Sequence, residues 1–101
     1  MVIQKWTAKM KPMQHPVFIE TLKELNHMYR KHGRVIWSRV HNELYGGHVI
    51  FMERDFPDIQ ALDTDETHSL EPDIRETKVR LLESVVPGSV VVTHYHAVDM
   101  E

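Results

Sequence analysis

The segment Ser89–Val98, SVVVTHYHAV, constrains this chain more than any other. It is β-branched and aromatic and follows a Pro87-Gly88 break, so it predicts a strand. Side chains alternate along a strand, which puts Val90, Val92, His94, His96 and Val98 on one face and Val91, Thr93, Tyr95 and Ala97 on the other. Apolar residues on both faces mean that both should be covered. One of them carries two imidazoles.

What can cover such a strand follows from the rest of the chain. Val2–Lys11 alternates, with Val2, Gln4, Trp6, Ala8 and Met10 on one face, and reads as a strand stopped by Pro12. From Pro16 onward, Phe18, Leu22, Leu25 and Tyr29 form a helical stripe that ends at Gly33. Arg34–His41 and His48–Glu53 are two further strands, joined by NELYGG either through a tight Gly46-Gly47 turn or through a longer loop from Asn42 to Gly47. PDIQAL reads as a short helical turn, and DTDETHSLEPD as an acidic connector. A second long helix starts near Pro72, with Ile74, Lys78, Leu81, Leu82 and Val85 on one stripe, and stops at Pro87-Gly88.

At 101 residues this is one domain spanning 1–101. The order β-α-β-β-α-β predicts an α+β, ferredoxin-like antiparallel sheet with its helices on one face. On the other face, Val90, Val92 and Val98, with Trp37, Ile50 and Met52 or their neighbours, would form an apolar patch too large for a monomer to leave in water. A homodimer whose sheets face one another is the simplest cover.

A net charge of −3 with scattered Lys and Arg argues against nucleic acid as a partner. No apolar run approaches the ~18 residues of a membrane span. MVIQKWTAKM lacks the uninterrupted apolar stretch of a secretory signal, so a cytoplasmic location with no membrane partner is expected. The absence of cysteine excludes thiolate chemistry and disulfides.

Strand 1 ending in MKP, the helix ending RKHG, the hairpin RVIWSRV…GGHVIFMERDF, the broken second helix and the closing VTHYHAV strand resemble the dimeric α/β-barrel superfamily. That group includes antibiotic-biosynthesis-type monooxygenases, polyketide cyclases, haem-degrading monooxygenases, stress-responsive barrel proteins and NIPSNAP-type proteins. The resemblance covers nearly the whole chain but lacks the HPxH-type motif of the stress-responsive and cyclase members. It implies a cofactor-independent monooxygenase or a cyclase/isomerase acting on an aromatic or polyketide-like compound. By the same resemblance His68, in ETHSLEPD, would close over a cavity mouth.

The sharpest local feature is His94-x-His96, whose rings project to one side of a strand. Three readings are open: a metal pair completed by His41, His48 or an acid; a hydrogen-bonded structural pair; and acid–base work by one ring. Trp6 and Trp37, with Met52, are candidate walls of a small-molecule cavity or plain core. Arg39 shares a strand face with Trp37 and His41 and suits either an acidic or phenolate ligand or an interface carboxylate. The acidic run from Asp63 fails the calcium-loop pattern, with His68 at its sixth position and Ile74 at its twelfth.

These readings make His94 or His96 the base, Arg39 or His41 the oxyanion holder, and Trp6, Trp37, Met52 and His68 the ligand contacts, with no cofactor or metal assigned. The competing expectations are a non-enzymatic ligand-binding or stress-type dimer, and a haem- or metal-binding barrel.

Overall fold

The computed structural model describes residues 1–101. Its elements are β1 (Val2–Lys9), α1 (His15–Lys31), β2 (Arg39–Asn42), β3 (Val49–Phe56), α2 (Ile59–Thr67), α3 (Pro72–Leu82) and β4 (Val91–His96). The four strands form one antiparallel sheet in the order β2-β3-β1-β4. This is the expected ferredoxin-like α+β arrangement, with an additional helix in the second crossover. No helix is long and apolar enough to cross a membrane.

Inward residues of the central strands, Trp6 and Ala8 of β1 and Ile50 and Met52 of β3, meet Phe18, Leu22, Leu25 and Tyr29 of α1. Each such side chain contributes about 1.5–3 kcal/mol when fully buried. Ile74 and Leu81 of α3 complete this cluster, while Leu62 of α2 joins Val2 and Phe56 in a smaller one. All three helices therefore lie on one face of the sheet.

Several boundaries differ from the sequence reading. The strand expected over Arg34–His41 shrinks to Arg39–Asn42. The reason is Asn26 of α1: its side chain accepts from the Trp37 backbone N–H and donates to the Trp37 carbonyl, both at 2.9 Å, so that backbone has no strand partner to seek. Strand β3 runs on through Arg54, Asp55 and Phe56. The hairpin takes the longer-loop alternative, with Gly46 and Gly47 at φ of 93° and 68°, and His41 stands opposite Phe51.

Most of the acidic connector is helical. The Asp58 side chain caps α2 by accepting from the Ala61 N–H at 2.8 Å, so the turn propagates through Asp63, Asp65 and Glu66. The proposed apolar patch also needs correction. Trp37, Ile50 and Met52 are buried under the helices. The outer sheet face instead carries Ile3, Lys5 and Thr7, Phe51, Glu53 and Asp55, Arg39 and His41, and Val91, Thr93 and Tyr95.

Candidate functional site

Gln4 lies between Val2 and Trp6 on the inward face of β1, where a polar side chain must find partners. Its cross-strand neighbour is Arg54, at the inward position between Met52 and Phe56. Arg54 Nε donates to Gln4 Oε1 at 2.6 Å, and its Nη2 donates to Asp65 Oδ2 at 2.9 Å. The guanidinium also lies over the rings of Trp37 (4.8 Å) and Phe56 (5.0 Å). Asp65, brought in by α2, accepts in turn from Arg34 at 3.2 Å, and Arg34 reaches Glu71 at 3.2 Å. No buried side-chain polar atom is left without a partner. The cost of burying these charges is thus offset by a closed network.

Arginine can only donate, so Arg54 fixes the amide of Gln4 with its oxygen inward and its nitrogen toward the edge strand. That nitrogen lies 2.8 Å from Glu66 Oε1 and 3.1 Å from His94 Nε2. A neutral His94 therefore accepts from Gln4 at Nε2 and carries its hydrogen on Nδ1. A protonated His94 donates from Nε2 to Glu66 Oε1, 3.3 Å away. The ring can gain a proton by exchanging one partner for the other.

This group borders a cavity of about 420 Å³ lined by Gln4, Trp6, Arg34, Trp37, Arg54, Asp65, Glu66, His68, Leu70, Lys78 and Val92. A smaller apolar chamber of about 150 Å³, lined by Trp6, Leu25, Trp37, Met52, Lys78, Leu81 and Leu82, shares three of these residues. The two together offer aromatic walls, an apolar end and a polar end.

Trp6 and Trp37 line both spaces, Met52 the smaller and His68 the larger, and His94 contacts Gln4 and Glu66 of the larger one. His96 is on the same sheet face, opposite Val2, but is exposed and has no polar contact. Arg39 and His41 do not join them: they lie on the outer face, so the sheet itself divides the four residues expected to share catalysis. There Arg39 grips Asp55 with two hydrogen bonds of 2.7 and 2.8 Å, and His41 stacks on Phe51 with ring centroids 4.6 Å apart. Arg39 holds the Asp55 carboxyl below its usual range. No group of three or more His, Asp or Glu side chains has metal-binding proximity.

Sequence reasoning passed over Gln4, Arg54, Asp65, Glu66 and Lys78. The available signal was a polar residue at an inward position of an otherwise apolar pattern, as with Gln4 between Val2 and Trp6.

No protein-family model matches the sequence. No curated protein matches it either. Solved structures share its fold. A proposed antibiotic biosynthesis monooxygenase of Deinococcus radiodurans superposes with a TM-score of 0.71 at 16% identity, covering 100% of this chain and 96% of that one. A second from Caulobacter crescentus gives 0.75 at 13% identity, covering 97% and 90%. An uncharacterised NIPSNAP domain protein of Burkholderia xenovorans gives 0.75 at 9%, covering 99% and 97%. At these identities the likeness is one of fold.

Proposed function

We propose that this chain forms a homodimer in which each subunit's cavity binds an aromatic or polyketide-like small molecule, with His94 as general base. The reaction class is a cofactor-independent oxygenation or a cyclisation/isomerisation. The observation that carries this reading is the position of His94 Nε2, shared between Gln4 and Glu66 at the rim of a cavity walled by two tryptophans. The names of the fold neighbours point the same way.

Both reaction types start by removing a proton from a phenol or an activated C–H. His94 takes it at Nε2, and Glu66 then stabilises the imidazolium. The Gln4 N–H that faced Nε2 is released and becomes a donor for the oxyanion forming on the substrate. In the oxygenase case the substrate anion reduces dioxygen itself, CH₂ + O₂ → C=O + H₂O, so no external reductant enters. Arg39 and His41 fall to the subunit seam in this reading. His96 has no assigned step.

A second copy is the proposed cover for the outer sheet face. Strand β4 is an edge exposed along its whole length, with Val91 and Tyr95 facing outward. The chain's accessible surface is 6717 Å², against about 5,900 Å² for a compact monomer of 11.9 kDa.

The test is oxygen uptake and product formation across anthrone- and naphthol-type compounds. His94→Gln keeps the hydrogen bonding but removes the base, so turnover should fall by about 100-fold or more with ligand affinity little changed. An unchanged rate removes His94 from the chemistry. Binding without turnover by either protein favours the non-enzymatic ligand-binding dimer.

A further inference from the structure

Lys78 occupies an unusual place for a lysine. It falls four residues after Ile74 and three before Leu81, both buried, and so lies on the inward stripe of α3. It is half-buried and lines both the larger cavity and the apolar chamber. No carboxylate lies within 4 Å of its ammonium, and it makes no side-chain hydrogen bond. Every other charged group lining the larger cavity is matched. Arg34 and Arg54 are held by Asp65, and Glu66 is held by Gln4 and His94. Lys78 is thus the one charged side chain lining the larger cavity that has no partner.

A partly desolvated ammonium gains most from an anion, because the attraction is stronger away from bulk water and each lost water contact must be replaced. We propose that Lys78 selects a ligand with an aromatic body and an anionic oxygen, the ring lying against Trp6 and Trp37 in the apolar chamber and the oxygen meeting the Lys78 ammonium. This rests on the reading of the cavity as a ligand site and specifies its ligand class. Against it stands a lysine that buries only its methylene stem and sends its head to water. Such a lysine gives no charge selection.

The experiment compares 1-naphthoate with its neutral analogue 1-naphthamide by calorimetry on the full chain. Naphthoate should bind the wild-type protein about tenfold tighter or more, the scale of one charge-assisted hydrogen bond. Lys78→Met should erase that difference while leaving the melting temperature and naphthamide affinity near their starting values, and Lys78→Arg should retain most of it. Equal affinities in the wild type, or a preference that survives in Lys78→Met, overturn the charge selection while leaving the cavity reading intact. Failure of both probes to bind overturns the cavity reading and this proposal with it.

Discussion

The two faces of one sheet each hold an arginine–carboxylate centre, and the two are built differently. On the helix side, Arg54 is nearly inaccessible, bonded to Gln4 and Asp65 and lying over aromatic rings. On the outer side, Arg39 meets the Asp55 carboxylate twice, at 2.7 and 2.8 Å against 2.9 Å from Arg54 to Asp65, yet its side chain is 38% exposed. Shorter distances do not make the stronger contribution. In water the Arg39 pair gains little over its hydrated state, whereas removing one partner from the buried centre strands the others. The difference separates a centre enclosed within the fold from one open to solvent.

The largest effect should come from the buried centre. Arg54→Met leaves Gln4 Oε1 without its donor and Asp65 with only Arg34, and should cost on the order of 3 kcal/mol or more in denaturant unfolding. A loss below about 1 kcal/mol would place Arg54 in the same class as Arg39.

Next is the outer face as a seam. Tyr95→Glu puts a charge at an apolar position that a second copy would bury, and should weaken the dimer by about 2 kcal/mol or more, the scale of an interface anchor. Scattering or sedimentation reads the mass directly. A wild-type protein that remains at 11.9 kDa across micromolar concentrations would break the homodimer proposal.

Arg39→Gln should change the stability of the isolated fold by no more than about 1 kcal/mol. If that variant instead cost as much as Arg54→Met, the contrast between the faces would vanish.

The smallest effect is acidic. The hydrogen bonds from Arg39 lower the Asp55 pKa below its ordinary 3.8. His32, foremost, does the same for Asp73. A depressed carboxyl contributes stability that is fully present above the ordinary value and is lost as pH falls through the lower folded value. Stability should therefore decline below about pH 4, and Asp55→Asn should make that decline shallower. An identical acid limb in the variant would show that the Asp55 pair contributes nothing to the fold.

Much of the fold was legible because its signals are local. Alternation in Val2–Lys9 set which residues of β1 point inward, and the stripe from Phe18 to Tyr29 set the face of α1. Lys78 stood on the apolar stripe of α3 in the sequence, but its lack of a partner depends on the tertiary structure. Helix α2 was less legible, since its composition is that of a solvated loop and its cap at Asp58 had to compete with that signal. Arg54 was missed because the strand was expected to end at Glu53, one residue short of the position that would have shown an arginine pointing inward.

Sequence by itself determined the order of the elements and the parity of side chains within each strand, since both depend on neighbours a few residues apart. It could not determine the relative phase of different strands. Whether His94 and Arg39 face the same side depends on the pairing of β4 with β1 and of β2 with β3, and in the first case the partners, from Thr7 with Val91 to Val2 with His96, lie at opposite ends of the chain. A shift of one residue in either register would reverse the answer. Asn26 added a second non-local decision by clamping the Trp37 backbone, so that alternation no longer carried from Trp37 to Arg39 and the tryptophan turned to the cavity while the arginine turned away.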